Sequence, residues 1–298
     1  MSVHLTLWKA VEGYLLEAQA RQLSPNTLHD YMHTFRRLAR FIDGMAATLD
    51  AIERRTLIEF FAWLADEGWS KKSVINAHIA LSSLWQWATV EGFTDANIVR
   101  GIKPPKPDEK AVEPFSRDDI AALLKACGHM QMGERNRAII LTLLDTCMRA
   151  GELCALLVAD CDLRNRRVRI RHGKGGKERF VSFTAPTGRA IWRYLATRDE
   201  PQPGDPLFVT VRDRWMTTTG LAHILVKLGD RAGVSGVHAH RFRHTGAIMH
   251  LANGMPAPVV QDMLGHSTLT MTRRYLNIAR LDTAKIHQRT SPVAVWRL

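Results

Sequence analysis

Apolar residues in the first hundred positions recur every three or four places, the spacing of one face of a helix. The opening stretch MSVHLTLWKAVEGYLLEAQ carries glutamates inside its apolar pattern, so it predicts a helix and not a signal peptide. Ser24-Pro25-Asn26-Thr27 is a helix start: Ser24 can cap, and Pro25 fits a first turn where its missing N–H costs nothing. Leu28, Tyr31, Phe35, Leu38 and Ile42 then mark the buried face of a second helix. Asp43-Gly44 and the residues up to Asp50 form a connection. Two further amphipathic segments follow, one through Leu57, Phe60, Phe61 and Leu64, the other through Val74, Ala77, His78, Leu81, Leu84, Trp85 and Ala88.

The pattern breaks at IKPPKPDEKAVEPFS, Ile102 to Ser116, where four prolines forbid a continuous helix and make an extended linker. Ser116-Arg117-Asp118-Asp119 opens a new helix with a capping residue and early acids. Arg135 to Val158 predicts at least one more, with Ile139, Ile140, Leu143 and Leu144 at core spacing. In RRVRIRHGKGGKERFVSF the period changes to two: Val168 and Ile170 alternate with Arg167, Arg169 and Arg171, and Phe180 and Phe183 follow a glycine-rich turn. This is a β-hairpin with a basic face. The remainder, to Arg280, is mainly helical. The expected organisation is a helical domain over 1–102, a linker over 103–115 and a second, α-rich domain with a small antiparallel sheet over 116–298.

Composition agrees with two folded domains. Of 298 residues, 46% are hydrophobic and 23% charged, and no apolar run is long enough to span a membrane, so a cytoplasmic protein with no membrane partner is expected. Cys127, Cys147, Cys154 and Cys161 form no CxxC pair. Cys147 and Cys154, seven residues apart on one apparent helix, read as buried thiols. Charge changes the picture more. Lysine and arginine cancel aspartate and glutamate within residues 1–110, so the net charge of +12 falls entirely in residues 111–298. That asymmetry points to a polyanionic partner, most often nucleic acid.

The chemistry-bearing residues cluster late. His240 and His244 in HAHRFRHTGAIMH share a helix face as zinc ligands would. However, the metalloprotease pattern needs Glu after the first histidine, where Arg241 stands, and neighbouring arginines repel a dication. HGKGGKER is no P-loop, because no Ser or Thr follows its GK and it leads into a strand. His240 and Arg243, and likewise Arg149 and Glu152, stand three apart on helical surfaces.

TCMRAGELCAL, GKGGKER, HAHRFRHTGA and LGHSTLTMTRRYLNI, in that order and at those intervals, resemble the tyrosine recombinase and phage integrase family, XerC/XerD-like in type. LSPNTLHDYMHTFRRLARF is similar to the start of that family's N-terminal core-binding domain, so the resemblance spans almost the whole chain. It implies the DNA breaking-rejoining enzyme fold: a SAM-like helical core-binding domain and an α-rich catalytic domain with a small antiparallel sheet. It implies that Arg149 and Arg243 grip the scissile phosphate and that Lys174 on the β-turn is the general acid, with Lys177 its neighbouring competitor. His240 would be the general base, His266 would bond a phosphate oxygen, and Tyr275 would be the nucleophile. Attack would leave a 3′-phosphotyrosine and a free 5′-hydroxyl, with no metal, ATP or other cofactor.

The implied partner is double-stranded DNA, clamped between the domains by a homo-tetramer on two sites, or by a hetero-tetramer with a paralogue. Arg36, Arg37, Arg40, Lys71, Lys72, Lys177, Arg179 and Arg241 are the expected DNA contacts. Val293, Val295 and Trp296 in the tail IHQRTSPVAVWRL would dock onto a neighbouring protomer or fold back on their own domain. TMTRRYLNI and HQRTSPV look somewhat more like phage and transposon integrases than housekeeping Xer proteins. A type IB topoisomerase shares this tyrosine chemistry, and the chain's size and N-terminal domain favour recombination over it. The rival of another class is a catalytically inactive DNA-binding accessory protein, which would lack an active-site residue, and none of the six is missing.

Overall fold

The structure, a computed structural model, describes residues 5–42, 44, 46–107, 113–128, 130, 132–171, 178–265, 275, 287, 291 and 293. It divides into two compact units, Met1–Lys110 and Ala111–Leu298. The described residues are mostly helical, with one three-stranded antiparallel sheet.

The first unit holds α1 (Leu7–Ala20), α2 (Pro25–Phe41), α3 (Arg54–Asp66) and α4 (Lys71–Val90). Side-chain caps start three of them. Thr6 accepts from the Lys9 N–H at 3.4 Å, Ser24 from Thr27 at 3.1 Å and Ser70 from Ser73 at 3.1 Å, each satisfying a backbone donor that the first turn leaves unpaired. The apolar stripes meet in a core around Leu7, Phe35, Leu38, Leu57, Phe60, Leu81, Leu84 and Trp85. His78 lies within the stripe of α4, yet its Nε2 lies 2.7 Å from the Ile102 carbonyl, so the ring ties the end of this unit to its core. Residues 103–107 carry neither helix nor strand.

In the second unit, α5 (Arg117–Cys127) begins with a capping box. Asp119 N–H donates to Ser116 Oγ at 3.0 Å, and Ser116 N–H to Asp119 Oδ2 at 2.9 Å. Next come α6 (Gly133–Thr146), α7 (Ala150–Cys154), β1 (Cys161–Asp162), β2 (Arg167–Ile170), β3 (Arg179–Ser182), α8 (Ala185–Leu195), α9 (Thr218–Ala232), α10 (Ala239–Ala252) and α11 (Ala257–Leu264). The strands run in the order β1-β2-β3, with Val168 opposite Val181 and Ile170 opposite Arg179. Val168, Ile170 and Val181 enter the core that α6 builds with α8 and α10.

Three features differ from the sequence reading. The helical pattern of 135–158 breaks at Cys147, whose φ of 53° places it in the left-handed region, so Cys147 caps the end of α6 while Cys154 closes α7, and the two do not share one helix. Both are buried free thiols, and burial pushes Cys147 up to about 12. The break has partners that stabilise it: the Cys147 carbonyl accepts from Arg243, and the Arg149 N–H donates to Glu152. Secondly, residues 196–217 are not helical and pair through isolated bridges, Leu157 with Pro206 and Val209 with Trp215. Thirdly, the hairpin's basic face is partly neutralised, because Arg169 and Arg171 both donate to the buried Asp160, at 3.2 and 2.7 Å. Phe180 points outward, 5.1 Å beneath the Arg167 guanidinium.

Candidate active site

Arg243, His240 and His244 come from the first turns of α10. The helix lies close to the end of α6 because residue 246 is glycine. A Cβ there would collide with the Leu144 carbonyl and the Cys147 sulfur. That close approach brings Arg243 against the backbone of both neighbours: Nη1 donates to the Cys147 carbonyl at 2.8 Å and Nη2 to the Leu264 carbonyl at 2.7 Å. Only 2% of Arg243 is exposed. Burial pulls its guanidinium down to about 10, and the positive charge of Arg149 adds to the shift. Even so it remains a cation at neutral pH.

Arg149 caps the N-terminus of α7. Its backbone N–H donates to Glu152 Oε2 at 2.8 Å, its Nη1 to Oε1 at 2.8 Å, and its Nη2 to the Gly265 carbonyl at 3.2 Å. Gly265 ends α11 with φ of 62°, a conformation suited to glycine. The two arginines therefore converge on consecutive carbonyls, Leu264 and Gly265, at the turn that leads into His266.

Glu152 is the acidic centre of this cluster. Burial pushes its carboxyl upward, but hydrogen bonds from Arg179 and Arg149 outweigh that and hold it below the ordinary carboxylate range. Arg179 donates to both carboxylate oxygens, at 3.0 and 2.8 Å, and its Nε donates to the Met263 carbonyl at 3.3 Å.

Tyr275 lies in a helical conformation and is 4% exposed, packed with Cys147, Ala247, Ile248, Leu251, Val260 and Leu264. Its ring centroid is 5.1 Å from that of His244, which in turn is 4.3 Å from the exposed His240 in an edge-to-face contact. The structure thus brings together Arg149, Arg243, His240 and Tyr275. Lys174, Lys177, His266, Val295 and Trp296 lie outside the described residues, and Val293 is exposed.

The expected DNA contacts divide. Arg36 and Arg40 are exposed on α2, and Lys71 and Lys72 on the first turn of α4. They are near in sequence to the lining of a groove of about 660 Å³ that includes Thr27, His33, Trp69, Ser73 and Asn76. Arg37 sits 5.6 Å over the Trp69 ring and 3.9 Å from Glu67. Arg179 and Arg241 direct their donors into the protein. Arg241 lies 4.0 Å over the Phe115 ring and bonds the carbonyls of Glu113 and Ser235, at 2.9 and 2.6 Å. The three-residue step from Arg149 to Glu152 is visible in the sequence, but the completion of the cluster by Arg179 is not, nor is the packing of His244 against Tyr275.

Among the described residues, no group of three or more His, Cys, Asp and Glu side chains could hold a metal ion, and no helix is long and apolar enough to cross a membrane. The phage integrase family model matches residues 114–281, and the phage integrase N-terminal SAM-like domain matches residues 11–92. The chain is 30% identical over 275 residues to tyrosine recombinase XerA of Thermococcus onnurineus, covering 91% of each. It is 29% identical over 291 residues to tyrosine recombinase XerD of Mycobacterium tuberculosis, covering 91% of this chain and 93% of that one. Among solved structures, the Tn1549 transposon integrase in complex with a circular intermediate DNA superposes with a TM-score of 0.79 at 20% identity, covering 94% of this chain and 98% of that one. A lambda integrase tetramer bound to a Holliday junction gives a TM-score of 0.74 at 19% identity, covering 91% and 77%. With the catalytic-domain model matching more than half of its length, the chain belongs to the phage integrase family, as a tyrosine recombinase of the XerC/XerD type.

Proposed function

We propose that this protein is a site-specific DNA recombinase that breaks and rejoins strands of double-stranded DNA through a 3′-phosphotyrosine, in integration and excision or in resolution. The observation that carries this reading is the convergence of two carbonyl-anchored guanidinium groups, Arg149 and Arg243, on the turn after α11, with a tyrosine packed against the same helices. A phosphodiester is an anion that resists attack, so catalysis rests on positioning and on stabilising charge that develops at the phosphoryl oxygens. Arginine supplies permanently charged, forked donors that match those oxygens.

In this reading Tyr275 Oη attacks phosphorus and forms the phosphotyrosine bond. His240 accepts the phenol proton, and the bond to the 5′ oxygen breaks as Lys174 protonates it. His266 bonds a phosphate oxygen. Because the phosphodiester energy is kept in the covalent bond, a 5′-hydroxyl from a second strand can reverse the step without ATP. Two guanidinium groups and a lysine supply the positive charge, so no metal is called for. Residues 1–102 act as the core-binding domain, joined by 103–115 to the catalytic domain, and four protomers act on two DNA sites in the cytoplasm.

The test is to incubate the purified protein with genomic DNA flanking its own gene, in excess EDTA, and to look for protein-linked DNA after denaturation. A covalent complex with free 5′-hydroxyl ends is expected. DNA binding without any covalent complex would instead identify the inactive accessory protein.

A further inference from the structure

Arg179 is a charged residue of the second unit's hairpin. Its position in the basic hairpin suggests a contact to DNA, yet each of its three guanidinium nitrogens bonds a protein oxygen. Three elements meet there. Arg179 is the first residue of β3, directly after the segment that carries Lys174. Its fork fills Glu152, the residue that holds both the backbone and the side chain of Arg149. Its Nε bonds the Met263 carbonyl at the end of α11, and a Cβ on Gly265 would come within 3.1 Å of its guanidinium.

We propose that Arg179 is a positioning residue that joins the start of β3, the N-terminus of α7 and the end of α11 into one frame that orients Arg149. The proposal rests on the role given to Arg149 above. The sharing of Glu152 is what makes it more than a staple. Oε1 accepts from Arg149 Nη1 at 2.8 Å and from Arg179 Nη1 at 3.0 Å, while Oε2 accepts from the Arg149 N–H and from Arg179 Nη2, both at 2.8 Å. A carboxylate held by two cations gives less of its charge to either. Arg149 is therefore oriented by Glu152 without being neutralised by it, and it retains positive charge for an incoming phosphate. Without Arg179, Glu152 would be free to pair fully with Arg149, and the strand that follows Lys174 would lose its anchor.

Arg149, Arg179 and Arg243 are charged groups that act on Glu152. Removing Arg179 takes away the hydrogen bond that contributes most to opposing burial, so Glu152 would take up a proton at higher pH.

The experiment compares wild type, Arg179→Ala and Arg179→Lys on a nicked suicide substrate. It measures the rate of covalent complex formation at saturating DNA across pH, DNA affinity by gel shift, and thermal melting. Arg179→Ala should keep its DNA affinity within about threefold while the saturating rate falls about 10- to 100-fold. The acid limb of its pH profile should move upward. Arg179→Lys keeps the charge but not the fork, so it should fall between the two. A weaker affinity with an unchanged saturating rate would make Arg179 a phosphate contact and overturn the proposal. So would a lowered melting temperature with the wild-type rate and pH profile. If the alanine variant does not fold, the lysine variant decides alone: a wild-type rate and acid limb would refute the positioning role. Failure of the wild type to form any covalent complex would instead refute the proposed function.

Discussion

Arg243 is an unusual place to keep a charge. It is 2% exposed and stands near a second cation, Arg149, a setting that penalises the charged form. Two backbone carbonyls and the nearby Glu152 offset that cost in the free protein. Such a prepaid arrangement suits a site whose ligand is an anion, because the charge is already desolvated and oriented when a phosphate arrives. Arg243→Lys should therefore retain charge and lose function. An ammonium cannot span the Cys147 and Leu264 carbonyls in a planar fork. We expect covalent complex formation to slow by about 100-fold or more, measured at saturating DNA. A rate within about threefold of wild type would show that the fork is not needed.

Elements bring these side chains together through close contacts and turn geometry. Gly246 lets α10 reach the end of α6, and Gly265 ends α11 in a left-handed turn beside Arg179. Gly246→Ala would force its Cβ onto the Leu144 carbonyl and the Cys147 sulfur. The expected cost is about 1–3 kcal/mol, or a melting temperature lower by roughly 3–10 °C, read by calorimetry. A melting temperature unchanged by this substitution would mean that α10 has room to move.

The same elements show what a sequence makes legible. The four helices of the first unit follow from their apolar period, and Ser24 marks the start of α2 by local chemistry alone. The hairpin follows from Val168 and Ile170 alternating with arginines. The break at Cys147 did not follow, because apolar residues continue at helical spacing across it. What stops the helix is distant in sequence: the Arg243 side chain on the Cys147 carbonyl, ninety-six residues away. The pairing of Asp160 with Arg169 and Arg171, and of Glu152 with Arg179, was hidden for the same reason. Strand alternation says which residues face outward but not which acid another element brings to meet them.

At the scale of the molecule, charge is distributed unevenly between the two units: the whole excess lies in residues 111–298. Part of it is internal, as Arg135, Arg179 and Arg243 are spent on carbonyls and carboxylates. Binding to duplex DNA should still be dominated by phosphate contacts and counterion release. With six to ten such contacts, affinity should drop by about 10³–10⁵-fold between 50 and 200 mM salt. A nearly flat salt dependence would contradict the assignment of DNA as the partner.

The most direct measurement of the central claim joins the residue to the reaction. Protein trapped on a nicked suicide substrate is digested, and the DNA-linked peptide is identified by mass spectrometry, for wild type and for Tyr275→Phe. The account predicts a phosphodiester link from Tyr275 to the 3′ end in wild type, and no adduct in Tyr275→Phe while its DNA affinity is retained. An adduct on another residue, or trapping by Tyr275→Phe, would contradict it.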